Sequence, residues 1–134
     1  MSPRRDPKFV FINMIEVHEP YFIRDPIDVK KVVLNHISNY LDYRAVRKWI
    51  KGYSRQVGVA TEYVLKIIKL LKQRGIFDKS LIIVTSDHGQ LLGEHEKIGH
   101  GDFLYDELLY VPLLMKYPKD VEIEVVQGSK SISV

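Results

Sequence analysis

The sequence predicts an α/β fold in which a mostly parallel sheet is flanked by helices. Three observations carry that expectation. First, the apolar runs Phe9 to Val17, Leu81 to Ser86 and Val111 to Tyr117 have strand length and little alternation, the pattern of strands covered on both faces. Second, apolar residues recur every three or four positions from Val46 to Leu71, the stripe of a core-facing helix. Third, strand, helix and strand follow in the order and at the spacing of a parallel crossover unit.

The totals fit one compact domain. The chain has 134 residues, 46% of them hydrophobic, which is enough for a core. Its 20 Lys and Arg against 17 Asp and Glu leave a charge of +3, too mild for a nucleic-acid partner. The basic residues between Lys30 and Arg74 read as a solvated helix face. Cysteine is absent, so no disulfide and no thiol nucleophile forms within the chain. Residues 1–8, MSPRRDPK, form an N-terminal arm. The run after it, FVFINMIEV, carries Asn13 and Glu16. It is too short and too polar to span a membrane and has no small-residue cleavage site. The expectation is a cytoplasmic protein with no membrane partner.

The elements can be taken in order. The first strand ends in EVHEPY. Asp25 and Pro26 then suit a helix cap and first turn, with Val29, Val33, Ile37 and Tyr40 on one face. His36 falls mid-helix and takes no role. From Asp42 the long stripe begins: Val46, Ile50, Tyr53, Val57, Ala60, Val64, Ile67 and Leu71. Gly52 leaves open one bent helix or two shorter ones. Gly75 suits a left-handed stop. A short helix around Asp102 to Leu109 precedes the third strand. The tail VEIEVVQGSKSISV offers an edge strand that frays over 125–134.

Ligands of open parallel sheets gather beyond the carboxyl ends of the strands. The first strand ends at His18 and the second at Asp87 and His88, so neighbouring strands would bring three polar side chains to one rim. Asp87 offers an oxygen ligand and His88 a nitrogen ligand, and Gly89 permits the sharp turn that lets both reach one ion. That donor mix favours Zn or Mn over Ca, and two ligands are half a site. The plainer alternative is a cap at Asp87 beside a solvated His88. For His18 the plainer alternative is a bond to a nearby carbonyl. His95 faces solvent. His100, between glycines, sits either in a backbone that approaches a ligand closely or in a simple turn. Tyr105, Asp106 and Glu107 belong to a helix with one packed and one wet face.

Taken together, SDHGQLLGEHEKIGHGDFLYDELLYVPLL resembles the sulfatase family of the alkaline phosphatase superfamily. There a buried strand ends in a metal-binding Ser-Asp-His-Gly or Ser-Asp-Asn-Gly, followed by a Leu-Gly-Glu-His segment and a Val-Pro strand. FVFINMIEVHEPY is similar to that family's strand ending in His-x-Pro, and the resemblance runs from about Phe9 to Pro118. It implies a three-layer alkaline phosphatase-like fold and metal-assisted hydrolysis of sulfate monoesters. The substrate would be a small-molecule or saccharide ester. The metal, Mn, Zn or Ca, would be held by Asp87 and His88. His18 and His100 would be catalytic and substrate-binding. His18 would contact the ester group or protonate the leaving oxygen, and His100 would stand where many arylsulfatases place a Lys.

The family's earlier strand, with its metal carboxylates and its Cys-or-Ser, x, Pro, x, Arg nucleophile motif, has no counterpart. In SPRR the Pro follows Ser2 directly, which is the wrong spacing. Residues 1–134 therefore read as one partial domain, the later part of a sulfatase-type domain, weak or inactive alone. Alternatives are a phosphate or phosphonate ester hydrolase or phosphotransferase, and a noncatalytic, self-associating fragment that binds a metal or oxyanion. Missing neighbour strands would leave an open sheet edge, which predicts a homodimer or larger assembly.

Overall fold

A computed structural model describes residues 7–19, 21, 43–101 and 103–122. The helical stripe becomes one helix, α1, Tyr43–Gln73, of 31 residues. Gly52 does not break it. A Cβ there would lie 2.9 Å from the Cβ of Tyr21, so the glycine is the gap through which Tyr21 seats on the helix. The helix stops at Gly75, whose φ is +64°. There Gly75 N–H donates to Lys72 O (3.0 Å) and Ile76 N–H to Leu71 O (3.1 Å), the paired bonds of a Schellman motif.

The core forms on the first half of α1. Val46 and Trp49 are buried against Tyr21 and Ile98, with Tyr53 and Leu92 packed at the margin. The Tyr21 and Trp49 rings meet edge to face at 4.5 Å, a geometry that adds to simple area burial.

Four short strands are described: β1, Ile82–Thr85; β2, Leu91–Leu92; β3, Ile98–Gly99; and β4, Leu113–Lys116. β1 pairs with β4 from Ile82↔Lys116 to Thr85↔Leu113. β2 pairs with β3 at Leu91↔Gly99 and Leu92↔Ile98. A one-turn helix, α2, Asp106–Leu109, buries Leu108. Lys116 ties β4 to the turn before β1. Its Nζ donates to Phe77 O and to Ser80 O, and it lies 4.4 Å from the Phe77 ring centre.

Three expectations change. Both described ladders are antiparallel, where a mostly parallel sheet is expected. Parallel neighbours need a long crossover, and between β1 and β4 the chain carries only turns, a ribbon and α2, which return it antiparallel. The run Phe9 to Val17 forms no strand. Residues 7–14 have no regular structure and Ile15–Val17 is a single 3-10 turn. Among the described residues no strand pairs with it, and Phe9 is 91% exposed. Finally, β1 and β4 are not covered on both faces, since Ile83, Leu113, Leu114 and Met115 are exposed. The helix from Asp25, His36 and the tail beyond Glu122 lie outside the described residues. Among the described residues, no helix is long and apolar enough to cross a membrane.

Candidate active site

β1 delivers Ser86, Asp87 and His88 at its end. The turn is closed locally: Ser86 Oγ donates to His88 O (2.6 Å), and His88 N–H donates to Asp87 Oδ1 (3.0 Å). Gly89 N–H donates to Leu108 O at 2.8 Å and fastens the turn to α2. A Cβ at Gly89 would lie 1.9 Å from Glu107 O. This glycine therefore serves close backbone approach as well as turning.

His88 Nδ1 lies 2.7 Å from Gly89 O. A carbonyl only accepts, so Nδ1 carries the proton and Nε2 the lone pair of the neutral ring. That Nε2 is 3.9 Å from Asp87 Oδ1, a separation two ligands of one divalent ion can span at about 2.0–2.2 Å each. The Asp87 side chain is 89% exposed. Its carboxyl is held below the ordinary range, first by its own backbone N–H, with His88 and Ser86 adding. An ionised oxygen beside an imidazole lone pair fits a divalent cation as two of its ligands. Among the described residues no group of three or more such donors is placed to hold a metal ion.

The second arm comes from β3. Antiparallel register opposite Leu91↔Gly99 places Gln90 across from His100. His100 Nδ1 lies 3.1 Å from Gln90 Oε1, and Gln90 Nε2 donates to Glu19 Oε2 at 3.0 Å. The third arm is the turn after Val17, where His18 N–H donates to Ile15 O and His18 Nδ1 lies 2.6 Å from Glu19 O. The rings converge. His88 and His100 stack with centroids 4.3 Å apart, and His18 meets His100 edge-on at 5.3 Å. His18, His88 and His100 thus share one surface, with Asp87 beside His88. His18 also bonds a nearby carbonyl, Glu19 O, as its plainer alternative expects, and His88 bonds Gly89 O.

His95 stays outside this cluster. It is stacked on Tyr105 at 3.9 Å and bonded to Glu107 Oε2 at 3.1 Å. Sequence reasoning missed Glu19 and Gln90. Their signal was adjacency, one beside His18 and the other two positions beyond His88. Glu19 also acts on the buried Tyr21 hydroxyl, which burial pushes up first and the Glu19 charge next.

The Sulfatase family model matches residues 2–130. An N-acetylglucosamine-6-O-sulfatase of Bacteroides thetaiotaomicron is 30% identical over 90 residues, which is 66% of this chain and 16% of that protein. The low-salt glycan biosynthesis sulfotransferase Agl7 of Haloferax volcanii is 33% identical over 78 residues, 55% of this chain and 19% of its own length. An ulvan-active sulfatase of Formosa agariphila is 23% identical over 118 residues, 81% of this chain and 23% of its own. The chain therefore spans less than a quarter of the length of each of these relatives. No solved structure matches. The family is generally metal-dependent and has the alkaline phosphatase-like α/β fold. With the family model running over nearly its whole length, this chain belongs to the sulfatase family.

Proposed function

We propose that this chain supplies the metal-binding and oxyanion-handling side of a site that hydrolyses sulfate monoesters. The observation that supports this most is the convergence of His18, His88 and His100 from three separate segments, with Asp87 alongside. Asp87 and His88 would hold a divalent Mn, Zn or Ca ion. When bound, such an ion stabilises charge on the non-bridging ester oxygens and lowers the pKa of a coordinated nucleophile.

The remaining steps belong to side chains. His18 has its Nδ1 proton engaged by Glu19 O, so Nε2 is the atom that exchanges protons. From an exposed position it would give a proton to the leaving oxygen. His100, stacked on His88, would contact the same ester group. The nearby relatives named for N-acetylglucosamine-6-O-sulfate and ulvan chemistry favour a saccharide ester as the substrate. Phosphate or phosphonate esters are the competing class.

The full chain labelled with 15N tests this reading. Mn ions are expected to broaden the Asp87 and His88 signals, and Asp87→Ala should abolish that effect. Inorganic sulfate should shift the His18 and His100 ring signals, with affinity about tenfold weaker in His100→Ala, the scale of one charge-assisted hydrogen bond. Sulfate that leaves the imidazoles unmoved would sink the proposal. Turnover of aryl phosphate without aryl sulfate would move the reading to the phosphorus class.

A further inference from the structure

We infer that Gln90, oriented by Glu19, fixes the proton of neutral His100 on Nδ1 and so puts the ring's lone pair on Nε2, the nitrogen that would face the ester. This deepens the proposed function and rests on it for the word ester. The proton placement itself stands on geometry. The Glu19 carboxylate only accepts hydrogen bonds, so the amide nitrogen of Gln90 must face it across the 3.0 Å contact. The amide carbonyl then necessarily faces His100 Nδ1, 3.1 Å away. A carbonyl cannot donate, so the ring must. Glu19 Oε1 lies 4.0 Å from the same nitrogen, beyond hydrogen-bond range, which makes the amide the direct contact and the carboxylate the group behind it.

The register of the ribbon explains why this works. Gln90 and His100 are the next pair beyond Leu91↔Gly99, so Gln90 is held opposite His100 by main-chain pairing. Leu91 beside it is fully buried and Ile98 nearly so, which anchors both strands. Gln90 and Glu19 are thus positioning residues, and His100 is the one that would touch substrate. Moving the proton to Nε2 would break the bond to Gln90 and set the Nδ1 lone pair against the Gln90 carbonyl oxygen, two acceptors face to face. With the proton on Nδ1, Nε2 carries the lone pair and accepts a hydrogen bond.

Ring 15N spectra of the full chain at a pH where histidine is neutral test the inference. His100 is expected to show a protonated Nδ1 and an unprotonated Nε2. Gln90→Met removes the amide dipole at similar length and should lower the tautomer ratio about tenfold. Gln90→Glu keeps an acceptor opposite Nδ1 and should preserve it. Glu19→Gln frees the Gln90 amide to flip and should bring the ratio toward unity at unchanged volume. A protonated Nε2 in the parent chain overturns the inference, as does an unchanged ratio in both Glu19→Gln and Gln90→Met. If the tautomers behave as stated while sulfate shifts no ring signal, the clamp stands and the ester reading falls.

Discussion

Gly89 shows how narrowly one residue constrains the candidate site. Its N–H holds Leu108 O, and the space beside its Cα is taken by Glu107 O. A methyl group there requires backbone to move, and the backbone in question carries Asp87 and His88. We expect Gly89→Ala to destabilise the chain by about 3 kcal/mol, the upper end of overpacking costs, and to separate the His88 and His100 rings. Gly58→Ala is the control. Nothing lies within 4 Å of its Cβ position and it sits inside α1, so stability should rise by about 0.5–1 kcal/mol. Urea midpoints compare the two. Equal effects would show that the close approach to α2 does not govern Gly89.

Among the elements, α2 and the turn before β3 are joined by side chains. His95 and Glu96 adopt φ of 54° and 56°, a left-handed backbone uncommon outside glycine. His95 is held there by the Tyr105 stack and the Glu107 bond. The Glu107 carboxyl is kept below its ordinary range, first by its own backbone N–H and then by the His95 ring. A depressed folded-state value means that the ionised form favours folding. This contribution is present above the ordinary glutamate value, about 4.3, and is lost as pH falls through the lower folded value. The melting temperature of the parent chain should therefore exceed that of Glu107→Gln at neutral pH, with the gap closing in acid. A gap that widens in acid contradicts the linkage.

Much at this scale was legible beforehand. The stripe from Val46 to Leu71 and the stop at Gly75 mark α1 correctly because both are local, and β1 and β4 fall within their apolar runs. Strand direction was not legible, because it depends on how the intervening chain folds back. The run from Phe9 was misread because apolarity alone does not supply a pairing partner. In the site, residue chemistry singled out His18, Asp87, His88 and His100. Gln90 escaped notice because its role comes from register across a ribbon of two residues per strand.

For the whole molecule, burial is uneven. The core gathers on the first half of α1, while Leu81, Ile83, Leu113, Leu114 and Met115 leave the β1–β4 ribbon apolar and exposed. A two-stranded ribbon is marginal in water and its edges invite pairing. We propose that a second copy of the chain covers it. Light scattering should report a mass of at least two chains at high concentration, and Ile83→Lys with Leu114→Lys should weaken assembly at least tenfold. A parent chain that stays monomeric at high concentration contradicts this. The bond between Glu19 and Gln90 spans 71 positions of sequence, whereas the backbone hydrogen bonds of α1 join residues four apart. Bringing such distant segments together carries a loop-closure entropy that local helix formation does not. During refolding, helical signal should therefore grow in well before the imidazoles meet, and competence to bind an anion would be among the last properties the chain acquires.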